Sequence, residues 1–202
     1  MTGLNAMSGL ASSAGAVAAL CVLLATRLSG VRLALAFGAV AVAMLVPLGA
    51  LPIAAYVRGV IGDLSVVTLA LLVRAVLARL FGWGPLEERT RLALQGWIAL
   101  AALAVYPMAL GFGPFDPYRL GYGSPWLVGA LCFVALAAWL RRMPLVALGI
   151  ALAVLAWAAG WYESNNLWDY LLDPAVSIYA LCALALRGAR WLWGRARPAS
   201  SA

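Results

Sequence analysis

The sequence predicts an all-α integral membrane protein with about seven transmembrane helices, six to eight being compatible with the pattern, in one domain covering residues 1–202. Of these residues 66% are hydrophobic and 10% are charged, whereas a soluble domain has about 45–50% apolar and about 25% charged residues. Apolar runs of about 18 or more residues, each long enough to cross a bilayer, recur along the whole chain. No polar stretch approaches the size of a soluble domain.

Seven segments are candidate spans. The first is rich in Gly, Ala and Ser, which suits close helix packing. The second carries Pro47 and Pro52 in its later half, which predicts a kink or a break there. The fifth and sixth are joined only by "RRMP", which predicts a tight helical hairpin. The spans cover residues 9–26, 33–57, 64–81, 92–111, 125–140, 143–161 and 173–190.

Arginine placement predicts the orientation. With the loops set alternately on two sides of a membrane, eleven of the 14 arginines, Arg197 among them, fall on one side. Only Arg58 and Arg119 fall on the other, and Arg74 lies within a span near its arginine-rich end. Positive charge favours the cytoplasmic side. This predicts an outside N-terminus, a cytoplasmic C-terminus and a location in a bacterial cytoplasmic (inner) membrane.

Residue types exclude several chemistries. All 14 basic residues are arginine, and the chain has no histidine or lysine. Without histidine it cannot form a Ser-His triad, a His-ligated haem or a His-based metal site, and without lysine it cannot form a Schiff base. The three cysteines form no C-x-x-C pair. The cofactor is unknown at this level, and nothing in the sequence indicates a nucleic-acid partner.

The predicted outer face gathers most of the acidic residues. Three polar segments lie there: 58–65, 114–125 and 162–174. If residues 163–172 form a helix turning by about 100° per residue, the leucines and Trp168 share one face and the acidic and amide side chains share the other. The pattern is typical of an amphipathic helix lying in the membrane interface before the last span, with its polar face toward water or another polar surface.

Helix caps account for part of this polarity. Asp173 precedes a proline at the predicted start of the last span, which is the usual order of an N-cap and an N1 proline. Ser124 has the same position before the fifth span, and Asp63 is a candidate cap for the third. Asp116, also followed by proline, predicts a short turn. Gln95 is expected to hydrogen-bond a neighbouring helix.

Caps leave the remaining outer polar residues unexplained. Arg58 and Arg119 are expected to pair with the carboxylates around them. Alternatively, the same groups form a site, because carboxylate and amide oxygens suit a divalent cation and arginines suit lipid head groups. Paired carboxylates can also act as general acid and base. The candidate cluster is Arg58, Asp63, Asp116, Arg119, Glu163, Asn165, Asn166, Asp169 and Asp173. Tyr118 is expected to join an aromatic belt at the membrane boundary.

Three functions follow as hypotheses. The first is a non-catalytic subunit or scaffold that binds a membrane protein partner through its outer segments. The second is an outer-face enzyme or binding protein that acts on lipid head groups, with or without a divalent cation. The third is a small transporter or channel, although the spans carry no acidic residue near their centres, where proton-coupled transporters usually have one. Whether the protein is an enzyme stays open at this level.

Overall fold

The computed structural model describes residues 2–196 and is mostly helical. Arg197, one of the eleven arginines counted above, lies outside these residues. The helices are α1 (Thr2–Leu24), α2 (Gly30–Met44), α3 (Ile53–Ile61), α4 (Val66–Phe81), α5 (Glu88–Ala109), α6 (Pro125–Leu140), α7 (Pro144–Ala158), α8 (Leu167–Leu171) and α9 (Pro174–Ala196). A 3-10 helix covers Pro117–Gly121, and two short strands, β1 (Pro47–Leu48) and β2 (Leu51–Pro52), form an antiparallel hairpin.

Three of these helices are long and apolar enough to cross a membrane. They lie within α1, α5 and α9, over Asn5–Leu24, Glu88–Ala109 and Pro174–Trp193. The shorter helices α2, α6 and α7 are also apolar and contain 15 or 16 residues each. A helix rises about 1.5 Å per residue, so these three are about 22–24 Å long. The protein is therefore mostly helical, as its composition predicted.

The second predicted span is broken, as its prolines indicated. α2 ends at Met44, the hairpin follows, and α3 begins directly after Pro52. Met44 and Ala54, which flank the interruption, both pack on Ala14 in the middle of α1. At the other end of α2, Leu33 packs with Val22, further along α1. Together α2 and α3 therefore follow one side of α1 as a single interrupted element.

The helices α1 and α4 lie side by side and are tied at one end. The guanidinium of Arg79 donates hydrogen bonds to the carbonyl oxygens of Val22, Leu23 and Ala25, two of them at 2.7 and 3.0 Å. The carbonyls of Val22 and Leu23 belong to the last turn of α1, where the helix provides no N–H partners, and Ala25 directly follows the helix. Arg74 on α4 lies over the Trp83 ring and donates to a loop carbonyl, as expected for a side chain that reaches toward the end of its helix.

α9 packs mainly along α5. The side-chain amide of Gln95 meets the Tyr179 hydroxyl at 3.5 Å, which confirms the predicted interhelical contact. Nearer the other end, the Arg187 guanidinium pairs with Glu88. The largest core cluster joins α4, α5, α6 and α7 to α8 and the first turns of α9, and it includes the fully buried Tyr170 and Leu171.

The predicted interfacial helix over 163–172 is wrong in extent and in environment. Only Leu167–Leu171 is helical, because the side chain of Asn166 accepts a hydrogen bond from the Trp168 N–H and caps the helix there. The apolar face, including Leu167, is buried in the protein core. Asn166, predicted to face outward, is completely buried as well. The element is therefore folded into the bundle.

Candidate functional site: a polar network at one end of the bundle

The polar network lies at the end of the bundle where α3 ends and α4 begins, called the polar end below. The nine predicted site residues divide there into three separate groups and three side chains that stand apart. The groups centre on Arg58, on Asp169 with Asn166, and on Asp173. Because they come from distant parts of the sequence, each group is a tertiary contact.

In the first group, Arg58 pairs with two carboxylates. Its guanidinium donates two hydrogen bonds to Asp63, with Nη2 at 2.8 Å from Oδ2, and lies 3.5 Å from Glu163 Oε2. The pairing expected for this arginine is confirmed. Gly9 of α1 lies directly beneath it, and a Cβ there would be 2.7 Å from Arg58 Cζ.

The second group joins the 3-10 helix to the segment before α9. The hydroxyl of Tyr118 donates to Asp169 Oδ1 at 2.8 Å, and Ser164 donates to the other carboxylate oxygen. The buried amide of Asn166 donates to the carbonyl of Tyr118 at 3.0 Å. The indole of Trp168 donates to the Pro117 carbonyl at 3.0 Å. Three of these hydrogen bonds, those that involve Tyr118 and Pro117, thus hold the two loops together.

Gly121 allows the two loops to approach this closely. A Cβ at this position would lie 1.7 Å from Asn166 Oδ1 and 2.9 Å from Trp168 Cδ1. No side chain fits at such distances. Glycine is therefore required at position 121 for close backbone approach.

In the third group, the buried carboxylate of Asp173 connects α4 to α9. Its Oδ2 accepts hydrogen bonds from the Ser65 N–H at 2.9 Å, from the Ser65 hydroxyl at 2.8 Å and from the Thr68 hydroxyl. Its Oδ1 accepts from the Val176 N–H at 2.9 Å, which confirms the predicted N-cap of α9. A carboxylate with four donors is satisfied although only 3% of Asp173 is exposed.

The other predicted caps give mixed results. Asp116 accepts a hydrogen bond from the Tyr118 N–H and begins the 3-10 helix, so the predicted turn is confirmed. The cap of α4 is Ser65, whose oxygen accepts from the Thr68 N–H, and the prediction of Asp63 is wrong because that carboxylate is taken by Arg58. Ser124 precedes α6, but its side chain makes no capping hydrogen bond.

Besides Asp116, two predicted residues stand outside the groups. Arg119 is exposed and, within residues 2–196, forms no ion pair, so its predicted pairing with a carboxylate is wrong. The exposed Asn165 contributes its backbone carbonyl, which accepts from the Trp157 indole at 2.9 Å. Tyr118, expected in an aromatic belt, donates its hydroxyl to Asp169.

Three tyrosines of the network have raised pKa values. Burial raises the pKa of Tyr162 to about 12, and its hydroxyl donates to the Leu64 carbonyl at 2.8 Å. Burial also raises the pKa of Tyr118, an effect that its hydrogen bond to Asp169 strengthens. The pKa of Tyr170 is raised by burial as well, and its hydroxyl accepts from the Tyr162 N–H. All three are neutral at physiological pH.

Several members of the network were missed from the sequence. Ser65, Thr68, Ser164, Tyr162 and Tyr170 all lie in it. Ser65 had a readable signal, since it directly precedes an apolar helical run. The others carry no local pattern, because their partners are set by tertiary packing.

The geometry of the polar end limits the metal binding and the reactions that its side chains can support. Within residues 2–196, no group of three or more His, Cys, Asp or Glu side chains is arranged to hold a metal ion. Ser65 and Asp173 form a hydroxyl–carboxylate pair, but both are buried and have no access to a substrate. The hydrogen bonds of the second group bind loops to each other.

Comparison of the chain with protein-family models, with curated proteins and with solved structures finds no match in any of the three.

Proposed function

We propose that this chain is a multi-pass protein of a bacterial cytoplasmic membrane that acts as a non-catalytic subunit or scaffold and binds a second membrane protein. Counting α2 and α3 as one interrupted crossing, with α1, α4, α5, α6, α7 and α9, gives seven crossings. The polar end then faces outward, with the N-terminus outside and the C-terminus in the cytoplasm, in line with the arginine distribution.

The hairpin between α2 and α3 carries this proposal. The residues that flank it, Met44 and Ala54, pack with Ala14 in the middle of α1, a helix long enough to span a membrane. The hairpin's apolar side chains are exposed on the surface of the bundle: Leu45 at 49%, Val46 at 51%, Leu48 at 64% and Leu51 at 50%. Non-helical backbone at membrane depth is tolerated where protein or a water-filled cavity covers it. An apolar hairpin does not favour water, so a second polypeptide is the cover that fits.

The polar network supports a scaffold role in a different way. Its carboxylates and buried amide are already bonded within the chain. Such a network fixes three loops relative to one another. A head-group enzyme would need some of these groups free for its substrate. A transporter with a broken helix usually places polar or ionisable groups at the break, whereas this break is lined by leucine, valine and proline.

Photo-crosslinking in the native membrane tests the proposal. A photoreactive amino acid replaces Leu48 in the hairpin, and a matched variant carries it at Phe133 of α6, which is exposed at 72% and lies within an uninterrupted helix. We expect the Leu48 variant to form one discrete adduct with a different membrane protein, and the Phe133 variant to label lipid. Lipid adducts alone at Leu48, or adducts only between two copies of this chain, would contradict the scaffold proposal.

A further inference from the structure

A groove of about 460 Å³ runs between α4 on one side and α5 with α9 on the other. It exists because α9 packs mainly on α5, while α4 packs on α1 and α7. Its walls are almost wholly apolar and include Leu72, Leu94 and Ile98. Its volume lies within the range of about 300–1,000 Å³ that is typical of small-ligand sites.

One end of this groove carries a cation. Arg91, in the first turn of α5, lines the groove and is exposed. The acidic residue nearest in sequence, Glu88, is already bonded to Arg187. Within residues 2–196 no ion pair involves Arg91. The apolar groove therefore ends at a guanidinium whose charge no carboxylate of the described chain neutralises by direct contact.

The positions of the polar groups give the groove a direction. From Arg91 to Ile98 is seven residues of α5, about 10 Å along the helix axis. Gln95 lies between them and is held by the Tyr179 hydroxyl. The far end, at Thr68 and Val176, is closed by the hydrogen bonds of Asp173. A ligand that fits has an anionic head at Arg91 and an apolar tail that points toward Asp173.

We propose that this groove binds one anionic phospholipid of the cytoplasmic leaflet, with its phosphate at Arg91 and part of one acyl chain between α4, α5 and α9. Arginine forms bidentate hydrogen bonds with phosphate. The leaflet assignment rests on the orientation proposed above, but binding itself can be measured in detergent and depends on neither the orientation nor the partner.

Native mass spectrometry of the purified chain in detergent tests the lipid site. The protein is titrated with phosphatidylglycerol or with phosphatidylcholine of the same acyl chains, and the dissociation constant of the first bound lipid is measured. We expect phosphatidylglycerol to bind more tightly. We also expect Arg91→Gln to weaken its binding about fivefold or more, which is the effect of about 1 kcal/mol per arginine. Arg91→Lys should retain part of the preference.

Two further variants distinguish lipid binding in the groove from nonspecific electrostatic attraction to the protein surface. Arg89→Gln removes the same charge two residues away, from an exposed side chain that does not line the groove, and should leave the first binding constant within about twofold. Ala175→Phe fills the groove from α9 and should weaken both lipids. Equal affinity for the two lipids would overturn the proposal, and so would equal losses in Arg89→Gln and Arg91→Gln.

Discussion

Ser65 and Asp173 are 108 positions apart in the sequence, and both the N–H and the hydroxyl of Ser65 donate hydrogen bonds to the Asp173 carboxylate. The same carboxylate oxygen accepts the hydroxyl of Thr68. One acidic side chain therefore caps α9 and holds the first turn of α4. An N-cap serves its own helix only, so the stability effect of Asp173 should exceed that of a simple cap.

Asp173→Ala should lower the free energy of unfolding by about 2–4 kcal/mol. Loss of the cap accounts for about 1 kcal/mol, and the buried donors of Ser65 and Thr68, left without an acceptor, account for the rest. Reversible unfolding in mixed detergent micelles measures the change. Asp116→Ala, which removes only the cap of the 3-10 helix, is the control and should cost about 1 kcal/mol or less. Equal effects of the two changes would contradict the double role of Asp173.

Gly121→Ala should destabilise the protein by about 1–3 kcal/mol, as overpacking typically does. The added Cβ would meet Asn166 Oδ1 at 1.7 Å, so the two loops would have to separate. Gly129→Ala on α6 provides the control, because a Cβ there has no neighbour within 4 Å. That change should be neutral or stabilise the helix by up to about 1 kcal/mol. Thermal unfolding of the two variants in the same detergent gives the comparison, and a tolerated alanine at position 121 would refute the close approach.

Alkaline pH should destabilise the folded protein over a defined range. The pKa of Tyr162 is about 12 in the fold and about 10 in the unfolded chain. Its contribution to stability is therefore fully present below about pH 10 and is lost as the pH rises through about 12, because the unfolded state gives up the proton first. Tyr118 and Tyr170 act in the same direction.

Spectrophotometric titration of tyrosinate, followed together with helical circular dichroism, checks this behaviour. We expect some tyrosines to ionise only as helicity is lost. Tyr162→Phe should flatten the dependence of stability on pH in this range. Complete ionisation near pH 10 with helicity intact would be incompatible with the buried hydroxyls.

Arg58→Gln should destabilise the protein, whereas Arg119→Gln should not. Arg58 holds Asp63 and Glu163 and is only 17% exposed at its side chain, so its removal leaves a partly buried carboxylate without its partner. We expect a loss of about 1–2 kcal/mol. Arg119 is exposed and forms no ion pair with the described residues, so its change should stay within about 0.5 kcal/mol. Chemical unfolding of both variants measures the change in the free energy of unfolding. A similar loss for both variants would show that net charge, and not ion pairing, determines the effect.

Cysteine labelling tests the proposed seven crossings. In a background in which Cys21, Cys132 and Cys182 are replaced by serine, single cysteines are placed at Tyr122 and at Arg142, which lie in loops at opposite ends of the bundle. A membrane-impermeant maleimide added to intact cells should label position 122 and not position 142, and permeabilised cells should show labelling at both. Labelling of position 142 in intact cells would reverse the orientation.

The sequence predicted features that depend on local patterns and missed those that depend on tertiary contact. The prolines of the second span predicted its break, and the order of Asp173 and proline predicted a helix start, because both effects act on neighbouring backbone. The helix expected over 163–172 failed because Asn166 caps a shorter helix and bonds the 3-10 segment. Helical periodicity marks a polar face, but it does not say whether water or another loop covers that face.

The long sequence separation between Ser65 and Asp173 has a consequence for how the protein folds as it is synthesised. During translation, the first turn of α4 leaves the ribosome 108 residues before the carboxylate that completes its hydrogen bonds. Until then the Ser65 N–H and the two hydroxyls lack the acceptor that Asp173 provides in the folded protein, so the early helices form an incomplete intermediate. Insertion of α9 is therefore the step that closes the polar end. A nascent chain arrested before residue 173 should be exposed to membrane proteases that recognise unassembled helices.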